Sequence, residues 1–232
     1  MQTVVLAGGL GTRLGAITQR TPKPLVPVAG IPYLEHQLRL LVKQNLTDVI
    51  LLVGYLGEQI EQHFRNGRSL GLRLRYSYEQ TPLGTGGALR HAEHLLEERF
   101  LVLYGDSYLP IEYAKVADPL VHADTLGALV LFLDTKSETD VRPNVAIDGR
   151  QRVIRYDKTA ARDPELKYID AGVMAMRKSV INLMSPNGSV SLEQDVFPRL
   201  IEKRMLAGVL TRQRFYDIGT PDRLRAIEAF LR

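Results

Sequence analysis

The sequence predicts an α/β protein whose main sheet is largely parallel and covered by helices on both faces. In the first half of the chain, short apolar runs alternate with segments of helical spacing, and the connections between them are short. The first apolar run breaks directly into glycines, as a buried strand does where it ends at a ligand. In the second half, strand patterns follow one another without helices between them, which predicts a small antiparallel region.

The elements of the first half follow from hydrophobic periodicity. Helical segments carry apolar residues three or four positions apart, whereas strand segments are continuous apolar runs or alternate. In chain order we predict a strand at residues 3–6, a helix at 32–44, a strand at 48–53, a helix at 56–64, a strand at 72–78, a glycine-rich turn at 80–88 entering a helix that extends to 96, a strand at 100–104, a helix at 111–121 and a strand at 126–133.

The second half begins with strands and ends with helices. We predict strands at 144–147, 152–156 and 168–176. Gly149 marks the turn of a hairpin between the first two. Ser191 and Gln194 form a capping box in which serine receives the third helical N–H and glutamine reaches back to the cap. Thr220 is the predicted N-cap, and Pro221 the first residue, of a last helix that continues over 222–230.

Composition restricts the protein class. The chain has 232 residues, 45% of them hydrophobic and 24% charged, enough to bury one sizeable core. It has no cysteine, which excludes disulfides and thiolate ligands. No signal peptide pattern or run of roughly 18 apolar residues is present, so we expect a cytoplasmic protein without a membrane segment. The formal charge is +4, but acids are interleaved with the bases, which favours polyanionic small substrates over nucleic acid.

The stretch after the first strand has the chemistry of a triphosphate site. Gly8, Gly9 and Gly11 allow backbone N–H groups to approach an anion without a Cβ in the way. Arg13 adds a planar fork of donors suited to phosphate oxygens. Lys23 adds a point charge on a segment stiffened by prolines on both sides. A surface turn with incidental charges is the structural alternative.

Two other classes of glycine loop do not match. A dinucleotide fingerprint would require glycine where Leu14 stands and an acidic residue closing the next strand, which instead runs into Gly54. A Walker loop would end in Gly-Lys followed by Ser or Thr, and this sequence is absent. Neither a nicotinamide-dependent oxidoreductase nor a P-loop enzyme is therefore expected.

Asp106 is the first candidate metal ligand. It follows the most continuous apolar strand of the chain, at the edge where open α/β sheets bind ligands. Phosphoryl transfer requires a hard divalent cation, and Mg²⁺ takes a few carboxylates plus phosphate oxygens. The alternative is that Asp106 only caps a turn, since aspartate favours such positions. His91 and His94 have no matching carboxylate motif, and we predict that they are structural.

Taken together, residues 6–14 and Pro22-Lys23-Pro24-Leu25 resemble the signature of the sugar-1-phosphate nucleotidyltransferases, the NDP-sugar pyrophosphorylases. The resemblance covers essentially the whole chain. Residues 80–88 and 191–198 are most similar to the branch of D-glycero-D-manno-heptose 1-phosphate and mannose-1-phosphate guanylyltransferases. It implies a Rossmann-like, three-layer αβα fold with a mixed, mainly parallel sheet, in one domain over 1–232. Nucleotide and metal would be bound mainly by 1–133, and 134–232 would mainly bind the sugar phosphate and supply the second metal ligand.

The resemblance also implies roles for particular residues. Arg13, Lys23, Asp106 and Asp217 would be catalytic, with Asp106 and Asp217 as ligands of Mg²⁺. The nucleotide would be bound by Leu6, Ala7, Gly8, Gly9, Gly11, Thr12 and Arg13 in the first loop and by Gln80, Pro82, Gly84 and Thr85 in the second. Gln80 occupies the position expected to hydrogen-bond the edge of the base, although an ordinary polar loop residue is the alternative.

The implied sugar-phosphate site is formed by Asn144, Asp157, Lys158, Asp170 and Gly172. In the family the acid binds a sugar hydroxyl, the lysine binds the phosphate and the glycine contacts the sugar through its backbone. A bulge is the alternative role of Gly172. Glu193 or Asp195 could reach a sugar hydroxyl, but acids at a helix start more often complement the helix dipole.

One departure from the family pattern concerns the sugar. Pro143 stands where relatives commonly have a glycine whose N–H faces the sugar, and proline has no N–H to donate. The resemblance as a whole implies transfer of a nucleotidyl group from an NTP, with GTP favoured, to a heptose or mannose 1-phosphate. UTP, CTP or dTTP with glucose 1-phosphate, and a catalytically silent nucleotide-sugar-binding regulatory subunit, are the alternatives. Exposed apolar residues of the last helix would suit a homodimer.

Overall fold

The computed structural model describes residues 1–159 and 163–232, and within them the chain forms thirteen β-strands and five α-helices. The strands are β1 (Gln2–Leu6), β2 (Pro27–Val28), β3 (Ile31–Pro32), β4 (Asp48–Val53), β5 (Arg73–Tyr78), β6 (Arg99–Tyr104), β7 (Ser107–Tyr108), β8 (Gly127–Phe132), β9 (Val145–Ile147), β10 (Val153–Tyr156), β11 (Ile169–Arg177), β12 (Leu206–Thr211) and β13 (Tyr216–Asp217). The helices are α1 (Tyr33–Lys43), α2 (Gly57–Phe64), α3 (Gly84–His91), α4 (Phe197–Glu202) and α5 (Pro221–Leu231).

The central sheet has seven strands in the order β12-β8-β11-β6-β1-β4-β5. β1 pairs parallel with β4, β4 with β5, and β12 with β8, whereas β11 is antiparallel to β8. Strands such as β4 are continuous apolar runs because helices cover both faces of a largely parallel sheet. The predicted α/β class with a mixed, mainly parallel sheet is confirmed.

The chain divides into two compact units. The first comprises Met1–Pro82, Val102–Tyr108 and Tyr216–Arg232. It contains α1, whose apolar stripe of Leu34, Leu38 and Leu41 is fully buried, as the helical spacing requires. α5 packs into the same unit through Ile227, which clusters with Val28, Tyr33 and Ile218.

The second unit comprises Leu83–Leu101 and Leu109–Phe215. It holds the predicted hairpin, in which β9 and β10 pair antiparallel with Val153 opposite Ile147. Gly149 lies in the turn as predicted, although the left-handed residue there is Gln151, with φ 59°. β8 is buried along its whole length.

Three sequence-based element predictions need correction. The segment 111–121 is not an α-helix but a 3₁₀ segment, Tyr113–Val121, because Pro119 lies inside it and cannot donate the α-helical hydrogen bond. α3 ends at His91 rather than at 96, and Glu93–Leu95 forms a separate 3₁₀ turn. Three of the eight residues of α3 are glycines, which give a helix little intrinsic stability.

The third correction concerns the strand predicted at 168–176. It forms β11, which belongs to the central sheet rather than to the small antiparallel region. The residues from Ile169 to Met176 are all buried, on both faces of the strand, so β11 suits a covered sheet and not a half-exposed hairpin.

The predicted helix starts are confirmed with one change of partner. Thr220 caps α5 by accepting from the N–H of Arg223 at 3.4 Å, and Pro221 is the first helical residue. Ser191 accepts from the N–H of Gln194 at 3.2 Å. The N–H of Ser191, however, donates to Asp195 at 2.7 Å rather than to Gln194, since a carboxylate is the stronger acceptor. In the part of the chain described here, no helix has the length and apolarity needed to cross a membrane.

Candidate active site

The glycine loop leaves β1 at Leu6 and is anchored at its start by Ala7, whose N–H donates to Leu52 O at 2.8 Å. Gly9 is exposed, and a Cβ added to it would have no atom within 4 Å, so the loop is open to a ligand there. Gly11 adopts φ 66°, a conformation that L side chains rarely adopt. It precedes two short 3₁₀ turns within Thr12–Gln19, which a kink at Gly15 separates.

Lys23 and Asp106 form an ion pair with Nζ and Oδ2 at 2.5 Å. The lysine side chain is only 10% exposed, because Pro22 and Pro24 hold its backbone in extended and 3₁₀ conformations. Gly105, directly before Asp106, donates its N–H to Leu6 O at 2.9 Å. The end of β1 and the end of β6 are thereby joined, and two of the predicted catalytic residues meet.

Asp217 lies on β13, which pairs antiparallel with β7 so that Asp217 stands opposite Ser107. Ile218 N–H donates to Asp106 O at 3.2 Å, which ties the two aspartate segments together. The Asp217 carboxylate accepts from Gly219 N–H at 2.7 Å and from Arg223 Nη1 at 3.0 Å. Of the two predicted metal ligands, Asp217 therefore lies on one strand of this ladder and Asp106 directly precedes the other.

Arg13 lies beside this ladder. A Cβ added to Gly219 would stand 3.3 Å from Arg13 Nη2 and 2.7 Å from Asp217 Oδ1. Arg223, which donates to Asp217, was not among the site residues predicted from the sequence. The available signal was its place in the first turn of the helix that begins just after Asp217.

Asp106 and Asp217 are the carboxylates of this site that could hold a divalent cation together with substrate phosphates. Among the described residues no group of three or more metal-binding side chains exists, so the chain supplies no complete cage. Mg²⁺ is typically held by one or two carboxylates with waters and phosphate oxygens. Lys23 pairs with Asp106 and Arg223 pairs with Asp217, so each carboxylate has a cation that offsets its charge.

A cleft of about 210 Å³ opens at the other side of the glycine loop. It is lined by Gly8, Leu10, Gly54, Tyr55, Glu79, Gln80, Thr81 and Pro82. Gly8, Gln80 and Pro82 were expected in a nucleotide site, and the structure brings these three together. Leu10 and Tyr55 are exposed apolar surfaces that suit the face of a base.

Glu79 is the residue of this cleft that sequence analysis missed. Its Oε1 lies 2.6 Å from the place a Cβ of Gly8 would occupy, and 2.8 Å from that of Gly54. The carboxylate fits only because both positions are glycine. The sequence signal was a charged residue at the end of β5, one position before Gln80.

In the second unit the other predicted nucleotide residues pack against the chain around Val190. Gly84 has φ 75°, and a Cβ there would meet Val190 O at 2.6 Å. The N–H groups of Gly86 and Gly87 both donate to Val190 O, at 2.8 and 3.0 Å. The carbonyl of Val190 therefore satisfies both N–H groups at the start of α3.

Thr85 belongs to a polar network around Glu193. Thr85 Oγ1 donates to Glu193 Oε2 at 2.9 Å and accepts from Leu192 N–H at 2.8 Å. Ser191 Oγ donates to the same Glu193 oxygen at 2.9 Å. Lys158 Nζ donates to Glu193 Oε1 at 3.1 Å and lies 5.6 Å from the centre of the Tyr156 ring.

The network continues from Tyr156 to the remaining sugar-site candidates. Tyr156 OH donates to Asp170 Oδ2 at 2.8 Å, and Gly172 N–H donates to Asp170 Oδ1 at 2.9 Å. Asn144 is buried, and its Oδ1 accepts from Asp170 N–H at 3.0 Å. Gly172 has φ 75° within the irregular register of β11, which is the bulge given above as the alternative role of this glycine. Four candidates, Asn144, Lys158, Asp170 and Gly172, thus share one network.

The network also reaches Asp157, whose backbone N–H donates to Asn144 O at 2.8 Å. The Asp157 side chain makes other contacts. Its Oδ1 accepts from both the N–H and the hydroxyl of Thr159, at 2.8 and 2.7 Å, which makes a local turn.

Burial raises the pKa of the Asp170 carboxyl above its ordinary value, because the charged form loses its hydration. The positive charge of Lys158 and the hydrogen bonds from Gly172 and Tyr156 act in the opposite direction and are weaker. The pKa of Tyr156 is also raised by burial and by the neighbouring carboxyl of Asp170.

Comparison with known proteins agrees with these features. Residues 2–232 match the family model described as nucleotidyl transferase. A D-glycero-alpha-D-manno-heptose 1-phosphate guanylyltransferase of Aneurinibacillus thermoaerophilus is 32% identical, over 97% of this chain and 96% of that protein. A mannose-1-phosphate guanylyltransferase of Mycobacterium tuberculosis is also 32% identical, and the chain spans 62% of its length. The crystal structure of HddC from Yersinia pseudotuberculosis complexed with GMP-PN has a TM-score of 0.82 at 26% identity, covering 100% of this chain and 99% of that one.

Proposed function

The chain belongs to the nucleotidyl transferase family, and we propose that it is a sugar-1-phosphate guanylyltransferase. In the proposed reaction GTP and a heptose or mannose 1-phosphate give the GDP-sugar and pyrophosphate. A sugar phosphate oxygen attacks the α-phosphorus of GTP, a new P–O bond forms, and the bond to the β-phosphate oxygen breaks. No protein nucleophile is needed, so the chain's role is to position the substrates and stabilise charge.

The observation that carries the choice of GTP is the Glu79 carboxylate in the cleft beside the glycine loop. Guanine presents two adjacent donors, N1–H and the N2 amino group, which a carboxylate can accept side by side. Uracil and thymine present one N–H between two carbonyls, and adenine and cytosine present an amino group beside a ring acceptor. A carboxylate therefore matches guanine and faces a lone pair on each of the others.

The first unit supplies the proposed triphosphate and metal site. Arg13 neutralises charge on the triphosphate and on the departing pyrophosphate, and Lys23 contacts the phosphates. The loop residues Leu6 to Thr12 bind the nucleotide through their backbone, with Gln80 and Pro82 flanking the base. The family generally uses a divalent metal, and we propose Mg²⁺ held by Asp106 and Asp217. When bound, the ion would offset negative charge on the phosphate oxygens.

The second unit supplies the proposed sugar-phosphate site. Lys158 binds the incoming phosphate, and Glu193 fixes the position of its ammonium group in the free protein. The sugar hydroxyls are bound by the hydrogen-bonded group of Asn144, Asp170 and Gly172. Asp157 adds a carboxylate next to Lys158. Thr85, at the start of α3, joins this group through its hydrogen bond to Glu193. Gly84 allows α3 to approach Val190 closely. The names of the relatives support a heptose or mannose as the sugar.

The test is pyrophosphate release in Mg²⁺ with GTP, ATP, UTP, CTP and dTTP against heptose, mannose and glucose 1-phosphates. We expect release confined to GTP with heptose or mannose 1-phosphate. Asp106→Asn, which keeps the side-chain size and removes the charge, should abolish it. Lys136→Gln, an exposed change in the second unit, is the control that should leave it intact.

Release with UTP, CTP or dTTP and glucose 1-phosphate would contradict the proposed substrates but not the reaction. No release from folded protein that still binds a GDP-sugar would instead identify a regulatory subunit.

We also propose a cytoplasmic location, to be checked by cell fractionation. We further propose a homodimer, because the apolar side chain of Phe230 on α5 is 44% exposed. A monomer mass measured by light scattering would contradict it.

A further inference from the structure

Gln37 is a buried amide in the otherwise apolar inner stripe of α1. It is 1% exposed, and it stands among Leu34, Leu38 and Leu41, which are fully buried. Its Nε2 donates to Tyr104 O at 2.9 Å and, in a shorter bond, to Ser107 O. These two carbonyls belong to the residues at the two ends of the turn from β6 to β7.

The turn needs two hydrogen-bond donors from α1 because the carbonyls of Tyr104 and Ser107 face the interior. A buried carbonyl without a partner costs free energy comparable to a lost hydrogen bond. An amide nitrogen carries two N–H groups, so one glutamine satisfies both carbonyls at once. The other atom of the amide, Oε1, is buried without a hydrogen-bond partner in the described structure. Leucine at this position would avoid the unpaired Oε1 but would remove the donor to both carbonyls. The glutamine therefore fixes the position of the turn relative to α1.

The two hydrogen bonds of Gln37 flank Asp106, one of the two proposed metal ligands. Asp106 lies between Tyr104 and Ser107, so both carbonyls that Gln37 holds flank it in the chain. Ser107 is also the residue opposite Asp217 in the ladder of β7 and β13. One side chain from α1 therefore restrains the backbone that carries Asp106 and the strand to which Asp217 is paired.

We propose that Gln37 is a positioning residue that sets the separation and orientation of Asp106 and Asp217 for the divalent metal. The inference rests on the proposed function, because it takes these aspartates as the metal ligands. Hydrogen-bond partners behind metal ligands commonly change metal affinity by about 10- to 100-fold when they are removed. Gln37 acts through the backbone rather than through the carboxylates, and it touches neither substrate nor metal.

The test compares Gln37→Met, which keeps an unbranched side chain and removes both donors, with Leu41→Val on the same helix face. Mn²⁺ binding to the protein with GTP is measured by electron paramagnetic resonance, and GTP binding without metal is measured in EDTA. We expect the Mn²⁺ dissociation constant to rise about 10-fold or more in Gln37→Met. Metal-free GTP binding should stay within about twofold of the wild type, and Leu41→Val should leave both constants unchanged.

An unchanged Mn²⁺ constant in folded Gln37→Met would overturn the proposal, as would an equal loss of GTP binding in EDTA. If Gln37→Met does not fold, Gln37→Asn provides the decision. It keeps the amide but is one methylene shorter, so it can reach at most one carbonyl, and we expect an intermediate Mn²⁺ constant; a wild-type constant would overturn the inference. A wild-type protein that binds no Mn²⁺ with GTP would instead refute the proposed metal site itself.

Discussion

Two adjacent residues, Glu79 and Gln80, line the cleft proposed for the base. The family resemblance pointed to Gln80, whereas the local sequence indicated its neighbour only as a charged residue at the end of β5. The structure adds Glu79 because its carboxylate lies against two backbone positions, Gly8 and Gly54, from different loops. Only a tertiary contact reveals that these glycines leave room for a carboxylate.

We expect Glu79→Gln to weaken selection of GTP over the other nucleotides. The substitution keeps the side-chain size but replaces one acceptor by a donor, so the paired bonds to guanine are lost. A paired contact to a base contributes about 1–3 kcal/mol of discrimination, which corresponds to about 5- to 150-fold. The measurement is kcat/KM for GTP and for ATP in parallel.

Gln80→Asn serves as the matched control, with a loss of less than about threefold expected. If Gln80→Asn removed the preference for GTP and Glu79→Gln left it intact, Gln80 would be the base-reading residue that the resemblance implied.

Asp170 should make stability depend on pH in a predictable direction. Its pKa is raised in the native state by burial, so the native state holds its proton at pH values where the unfolded chain has lost it. The cost to stability is absent below the ordinary carboxyl pKa of about 4, grows as pH rises above it, and levels off above the native pKa.

Relative to Asp170→Asn, the wild type should therefore lose unfolding free energy as pH rises from about 4. Urea unfolding of both proteins at several pH values measures the difference. Parallel curves between acid and neutral pH would show that the native carboxyl titrates as it does in the unfolded chain.

At the scale of elements, the end of β6 is held against the end of β1 by a glycine. Gly105 does not need an unusual φ, but a Cβ there would stand 2.6 Å from Leu6 O and 3.2 Å from Ala7 Cα. These are backbone atoms that cannot rotate away. The close approach sets where Asp106 leaves the sheet.

Gly105→Ala should lower both stability and activity. The added methyl group forces the two strand ends apart, and such overpacking costs about 1–3 kcal/mol. Thermal unfolding and pyrophosphate release measure the two effects. The matched control is Gly149→Ala, where a Cβ would meet nothing within 4 Å, and its unfolding temperature should be unchanged. Equal behaviour of the two variants would contradict the role given to Gly105.

At the scale of the whole molecule, the chain passes between its two compact units four times, and the residues of β6 are divided between them. Neither unit is a continuous segment of sequence. We therefore expect 1–232 to unfold as a single domain in one cooperative transition.

Urea unfolding followed by far-ultraviolet circular dichroism and by tyrosine fluorescence tests this expectation. Coincident curves from the two probes are expected for a two-state domain. Two separated transitions would show that the units unfold independently and would contradict the single-domain prediction.

Hydrophobic periodicity was sufficient to locate strands such as β4 in the sequence. It did not predict contacts between segments that are distant in the sequence. β4 was predicted with the bounds it has, because a run of apolar residues between polar ends has one extended arrangement. The strand β11 was placed in the wrong sheet, since periodicity does not name a partner strand. The N–H groups of Gly86 and Gly87 in α3 are satisfied by Val190, a residue about a hundred positions away in the sequence, and no local pattern indicates this partner.

The sequence by itself determined the α/β class, the glycine loop with its two cations and the strand end that carries Asp106. These depend on residue type, spacing and backbone freedom, which are local properties. Only the tertiary structure decided that Lys23 meets Asp106, 83 positions later, that Glu79 enters the base cleft, and that Gln37 holds the turn beside Asp106. Such contacts depend on which strands become neighbours and on which atoms a glycine leaves room for, and neither is encoded in a short window of sequence.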